Sequence, residues 1–217
     1  MTKVANKIVL YQSNDFRSVF NQCEITRTHK LMTGLIADTG MGKTTSLKAY
    51  SQNENVFMIT VDKTVNAKGL LLKILEALGV SYNSNAHDVM QKIASELNSL
   101  ENPLLIIDEA GKLNHVMMLY LHDLREYTKD NCGIVLAGMP YFKNRLIKFS
   151  DKQKEGCSEF LRRINIWHEL EGLNRKEIDY ICEQEGVEAD NYKEYHGLRF
   201  GDLMNKILLD KITNDKL

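Results

Sequence analysis

The stretch that most restricts what this chain can fold into runs from Leu31 to Thr45: Leu-Met-Thr-Gly-Leu-Ile-Ala-Asp-Thr-Gly-Met-Gly-Lys-Thr-Thr. An apolar run enters a loop containing Gly40 and Gly42, then leaves through Lys-Thr-Thr into a helix-like segment. That is the layout of a phosphate-binding loop between a strand and a helix. Without a Cβ, Gly40 and Gly42 let the backbone turn tightly and aim N–H groups inward. Those groups and the positive end of the following helix suit a polyphosphate. In such a loop Lys43 reaches the β- and γ-phosphates and the Thr44 hydroxyl holds Mg²⁺. The residues predicted to cradle the nucleotide are Asp38, Thr39, Gly40, Met41, Gly42, Lys43, Thr44 and Thr45. Ala37 stands where G-x-x-x-x-G-K-[ST] has its first glycine, so residue 37 must not need a positive φ.

A second motif follows at Pro103-Leu-Leu-Ile-Ile-Asp-Glu109. Four apolar residues and then two acids describe a strand buried on both faces and ending in a site. This is the Walker B pattern. Asp108 would hold Mg²⁺ directly or through water, and Glu109 would polarise the attacking water. Further strands are expected over residues 31–37, 55–61, 132–138 and 164–170, with helices over 43–51, 70–78, 88–100, 113–128 and 141–149. Gly79 closes the second of these helices, and residues 150–156 read as an exposed loop. The fold class is therefore α/β: a P-loop parallel five-stranded sheet flanked by helices.

Before the sheet lies a leader, residues 1–30, with a short apolar run at 8–11 and a helix opening near Asp15 capped by Ser13 or Asn14. In nucleotide-binding domains of this layout such a leader often lies over the adenine. After Gly172 the pattern becomes all-helical. Asn174 caps a helix to about Gln184, with Glu177 completing a capping box. A short helical piece follows over 191–195, and Gly197-Leu-Arg-Phe-Gly-Asp202 opens a last helix to about Asp210. The division expected is a nucleotide-binding core at 1–172 and a helical lid at 173–217.

The formal net charge of −1 supplies no overall basic signature, so a nucleic-acid partner needs a local patch. The four cysteines lie too far apart in sequence for a metal pair or a redox C-x-x-C. They read as free thiols of a reducing cytoplasm. No apolar run approaches the length of a membrane span, and the start of the chain lacks the apolar core of a signal peptide. A cytoplasmic protein without a membrane partner is the expectation.

These features together resemble an AAA+ ATPase: strand, P-loop and helix, a buried strand ending in Asp-Glu, an arginine pair before a fifth strand, and a helical lid with Gly-x-x-Arg. More narrowly, Ile107-Asp-Glu-Ala-Gly-Lys-Leu113, Val135-Leu-Ala-Gly-Met-Pro140 and Leu161-Arg-Arg-Ile164 are similar to the branch holding ExeA-type proteins and the transposition ATPases MuB, TniB and TnsC. The resemblance implies further roles. Arg162 or Arg163, with Arg163 favoured, would be the arginine finger that reaches a neighbouring subunit's γ-phosphate. Arg199 would be the lid arginine that couples nucleotide state to lid position. The tip of the fourth strand departs from the pattern: it offers Gly138 and Met139 rather than a polar side chain, with Asn144 further on. Slow or partner-stimulated hydrolysis is expected from that.

The resemblance implies ATP and Mg²⁺ as ligands, self-association into a ring or filament, double-stranded DNA held by its phosphates, and recruitment of a transposase. Candidate DNA contacts are Lys63 and Lys68 after the second strand and Lys112 beyond Walker B. The alternative is an ATPase switch that remodels a protein partner, as helicase loaders and ExeA-like proteins do. A small-molecule kinase fits poorly, because the Asp-Glu pair, the arginine pair and the lid Gly-x-x-Arg have no place in it.

Overall fold

The computed structural model describes residues 11–214. Most of the apolar run at 8–11 lies outside the described residues. Five strands, β1 (Met32–Ile36), β2 (Val56–Thr60), β3 (Leu104–Asp108), β4 (Gly133–Gly138) and β5 (Ile166–Glu169), form one sheet in the order β2-β3-β4-β1-β5. Every pairing is parallel. All residues of β1, β3 and β4 are buried, as the unbroken apolar runs require of strands covered on both faces. The edge strands β2 and β5 are only partly covered. β5 starts later than residues 164–170 predict because Ile164 is the C-cap of the preceding helix, Cys157–Arg163.

Side chains alternate across the central strands. On one face Met32, Ile36, Leu105, Ile107, Ile134 and Leu136 pack under α3 (Ala67–Ala77), α4 (Ala86–Ser99), α5 (His115–Thr128), α6 (Pro140–Asp151) and α7 (Cys157–Arg163). On the other, Leu35, Ala37, Leu104, Ile106, Val135 and Ala137 meet α1 (Asn14–Thr28) and α2 (Lys43–Tyr50). Met117 and Met118 are buried core residues. All four cysteines are buried and unpaired, and burial pushes the Cys23 and Cys132 thiols up to about 12.

The C-terminal helices α8 (Arg175–Gln184) and α9 (Phe200–Asn214) and the 3₁₀ segment Ala189–Tyr195 share an apolar cluster of Ile178, Ile181, Cys182, Tyr195, Leu203 and Ile207. Tyr11 of the leader is part of it, and its hydroxyl donates to Glu185. Asn174 and Glu177 form the capping box read from the sequence. Ser13 caps α1.

Several boundaries differ from expectation for identifiable reasons. Pro140 takes the first position of α6, where its missing N–H costs nothing. That helix continues to Asp151, past the start of the expected loop. A 3₁₀ turn at Ala110–Lys112 precedes α5, which begins at His115 under an Asn114 cap rather than at Leu113. Helix α3 starts at Ala67 under an Asn66 cap. Lys68 is therefore in its first turn and not in the connecting loop. Among the described residues no helix is long and apolar enough to cross a membrane.

Candidate nucleotide-binding site

Parallel α/β sheets bind ligands beyond the carboxyl ends of their strands. Here the loop of residues 37–42 leaves the end of β1 and turns into α2. Gly40 and Gly42 both take φ of 81°, and Gly42 is the N-cap of α2 without any side-chain cap. The first-turn N–H groups of α2 thus remain available, at the positive end of its dipole. Ala37 does not adopt a positive φ; its N–H donates to Gly138 O at 3.1 Å. The alanine substitution is thereby accommodated. Lys43 is only 8% exposed, and its Nζ lies 3.5 Å from Ala37 O. A nearly buried ammonium with one long contact wants an anion.

The two motifs meet. Thr44 Oγ1 donates to Asp108 Oδ2 at 2.8 Å. Asp108, fully buried at the end of β3, accepts the Glu109 N–H on Oδ1 at 2.8 Å. Glu109 sits at φ 58°, a left-handed position that turns the chain sharply after the strand. Its carboxylate pairs with Lys112 at 3.4 Å. The donor set fits Mg²⁺: the Thr44 hydroxyl and the Asp108 carboxylate offer hard oxygen ligands side by side. One hydroxyl and one carboxylate next to a phosphate loop match how Mg²⁺ is held, with phosphates and water completing its shell.

The start of α9 lies directly on the loop. Arg199 Nη2 reaches Asp38 Oδ2 at 2.8 Å, and Nη1 lies 3.5 Å from Thr39 O. The Gly201 N–H donates to Gly40 O at 2.7 Å. A Cβ on Gly201 would come within 3.1 Å of Gly40 Cα, so any side chain here crowds the loop and a branched one pushes against it. The expected result for Gly201→Val is release of the helix start from the loop. Hydrogen exchange at residues 38–42 should rise and nucleotide affinity should fall severalfold, while the sheet keeps its protection. Unchanged exchange at the loop would show that the contact does not hold it.

Phe200, Tyr11 and Phe16 line a narrow crevice with Met41, Gly42 and Thr45. A larger cleft of about 390 Å³ lies on the other side of Met41, bordered by Asp38, Pro140, Glu171 and Arg199. Sequence reasoning did not single out Phe16, Phe200 or Gly201. The one available signal was a glycine inside a helical pattern, which costs about 1 kcal/mol relative to alanine and so implies a close approach. Nor did it find Asp15, which accepts from the N–H groups of Glu171 and Gly172 at 3.1 and 2.9 Å. Asp15 thereby ties α1 to the connection between β5 and α8.

Other predicted residues lie apart from this cluster. Arg162 and Arg163 are exposed at the end of α7, ahead of β5 and at the opposite end of the sheet from the loop. Arg163 pairs with Glu126 at 2.5 Å. Next to it, the Asn165 side chain accepts the N–H of Met32, the first residue of β1, at 2.9 Å. Neither arginine reaches the loop of its own chain. At the tip of β4 the Met139 sulfur receives the Thr39 hydroxyl at 3.7 Å, and Asn144 is exposed on α6. Lys63 and Lys68 are exposed, whereas Lys112 is occupied by Glu109.

A family profile described as an AAA domain matches residues 26–146, more than half of the chain. No curated protein matches the sequence. Among solved structures, the chain is similar to the Aeropyrum pernix ORC2 protein in its ADPNP–ADP complexes, with a TM-score of 0.59 and 16% identity over 82% of this chain and 54% of that one. It is also similar to the Aeropyrum pernix ORC1 protein in complex with DNA, with a TM-score of 0.55 and 15% identity over 78% and 47%. The replication initiator DnaA bound to AMPPCP and single-stranded DNA gives a TM-score of 0.59 and 16% identity over 94% and 62%. The chain spans about half to three fifths of the length of these proteins, and at such identities the likeness is one of fold. By the profile match and by the P-loop α/β fold just described, the chain belongs to the AAA domain family.

Proposed function

We propose that this protein is an ATP-dependent, DNA-binding ATPase switch of the AAA+ type, serving a mobile element. The observation that carries the nucleotide part is the hydrogen bond of Thr44 to Asp108 beside the nearly buried Lys43. In this reading the loop N–H groups and Lys43 bind the phosphates, and the purine lies against the aromatic side chains at the mouth of the crevice, beside Phe200. Mg²⁺, when bound, would neutralise phosphate charge, with Thr44 and Asp108 holding it. Glu109 accepts the proton of the attacking water.

Arg163 completes the site of a neighbouring protomer. Its place at the far end of the sheet from its own loop supports action in trans, which demands head-to-tail association into a ring or filament. What supports DNA as partner is the fold shared with the ORC1 and DnaA structures, whose own complexes contain DNA. The mobile-element role and the transposase partner follow from the likeness of residues 107–113, 135–140 and 161–164 to the transposition ATPases. The division into a core at 1–172 and a lid at 173–217 belongs to the same reading. So does the cytoplasmic placement.

The test is anisotropy of labelled duplex DNA with Mg-AMPPNP, with Mg-ADP and without nucleotide. Binding is expected only with the triphosphate. It should weaken steeply with salt, because phosphate contacts release counterions. Equal binding without nucleotide would overturn the proposal. Absence of DNA binding in every state would favour the alternative, a switch acting on a protein partner. The exposed Leu208, Leu209 and Ile212 on α9 would suit that role.

A further inference from the structure

The start of α9 grips the phosphate loop through a charged contact whose acidic member comes from the loop itself. Asp38 directly follows Ala37, and its carboxylate takes Arg199 Nη2 at 2.8 Å. Both side chains are open to the cleft, Arg199 at 49% and Asp38 at 42% exposure. Glu169 and Glu171 line the same cleft, so Arg199 is its only lining cation among the described residues. Glu169 is already committed to Lys143 at 2.6 Å.

A carboxylate beside a loop built for a polyphosphate is electrostatically misplaced unless a cation neutralises it. Here it is neutralised by the one guanidinium that the start of α9 presents to the loop. A guanidinium forms its best paired bonds with planar or tetrahedral oxyanions, and it accepts carboxylate and phosphate alike. The same turn carries Phe200, against the aromatic crevice, and Gly201, bonded to Gly40. A change of partner at Arg199 is therefore carried to both.

Resting on the nucleotide-binding reading above, we propose that Asp38 is a built-in stand-in for the terminal phosphate. It holds Arg199 in the nucleotide-free protein, and a bound triphosphate must take Arg199 from it. The contact thereby tunes discrimination between triphosphate and diphosphate. A diphosphate lacks the terminal group and leaves the Asp38–Arg199 pair intact. A triphosphate breaks the pair and regains it as a bond to phosphate. The shift of Arg199 then moves the Phe200–Gly201 turn that rests on the loop.

The test is a double-mutant cycle read by equilibrium binding of Mg-AMPPNP and Mg-ADP to the full chain. Asp38→Asn keeps shape and removes charge. Exposed ion pairs have modest strength, so the affinity ratio of AMPPNP to ADP should rise by about two- to fivefold in this variant. Arg199→Ala should lower the ratio. In the Arg199→Ala background, Asp38→Asn should leave the ratio unchanged, since the competing pair no longer exists. An unchanged ratio in Asp38→Asn would overturn the proposal while leaving nucleotide binding intact. An equal rise in both backgrounds would also overturn it, since that reports only general repulsion between Asp38 and phosphate. Wild-type protein that binds neither nucleotide would overturn the nucleotide reading and this inference with it.

Discussion

Lys43→Ala is expected to weaken Mg-ATP binding by roughly one to two orders of magnitude, because a hydrogen bond from a charged donor contributes about 1.5–3 kcal/mol. Lys43 has little else to do in this fold. Its only side-chain hydrogen bond among the described residues is to Ala37 O at 3.5 Å. Removing it also relieves the burial of an ammonium. The melting temperature without nucleotide should stay within a few degrees of wild type, and the stabilisation by added Mg-ATP should vanish. Titration calorimetry and thermal melts check both halves. A large loss of stability in the absence of nucleotide would show that Lys43 is a structural residue.

The second large effect is expected at Glu109. Glu109→Gln keeps the side-chain length, and so the left-handed turn at φ 58° faces no new steric demand. The carboxylate that would accept a proton from water is gone. General-base catalysis is worth about 10²- to 10⁴-fold, so turnover should fall by that factor while Mg-ATP affinity stays within a few fold. The Lys112 pair is lost as well, but exposed pairs of this kind contribute about 1 kcal/mol or less. The variant should accumulate in an ATP-bound state. A phosphate-release assay together with a filter-binding assay separates hydrolysis from binding. Turnover within tenfold of wild type would remove Glu109 from the catalytic role.

The two motifs were legible because each is a contiguous run whose residue types have one physical use. Gly40, Gly42 and Lys43 are arranged by local backbone geometry, and the strand before Asp108 is defined by four successive apolar residues. Parallel burial, and hence the sheet, followed from the same runs. Capping signals were equally local, as Asn174 with Glu177 shows. What remained hidden depends on contacts across the chain. Nothing in the residues around Asp15 announces that it receives the N–H groups of Glu171 and Gly172. Nor does a periodicity reveal that Gly201 rests on Gly40. The extent of α6 was missed because Ser150 and Asp151 look like loop residues. Its apolar face is narrow, with Phe142 and Leu146 buried. The reach of Arg199 was anticipated only through family likeness; its partner Asp38 was seen as a loop residue and not as its counter-charge.

Nucleotide-dependent behaviour of every kind requires a magnesium triphosphate gripped between the loop of residues 38–45 and the acids at the end of β3. The most direct measurement is a crystal structure of the Glu109→Gln variant grown with Mg-ATP. It is expected to show the phosphates along the first turn of α2, with the metal beside Thr44 Oγ1 and Asp108 and Lys43 Nζ drawn away from Ala37 O. A vacant cleft at saturating Mg-ATP, or nucleotide bound elsewhere on the molecule, would contradict it.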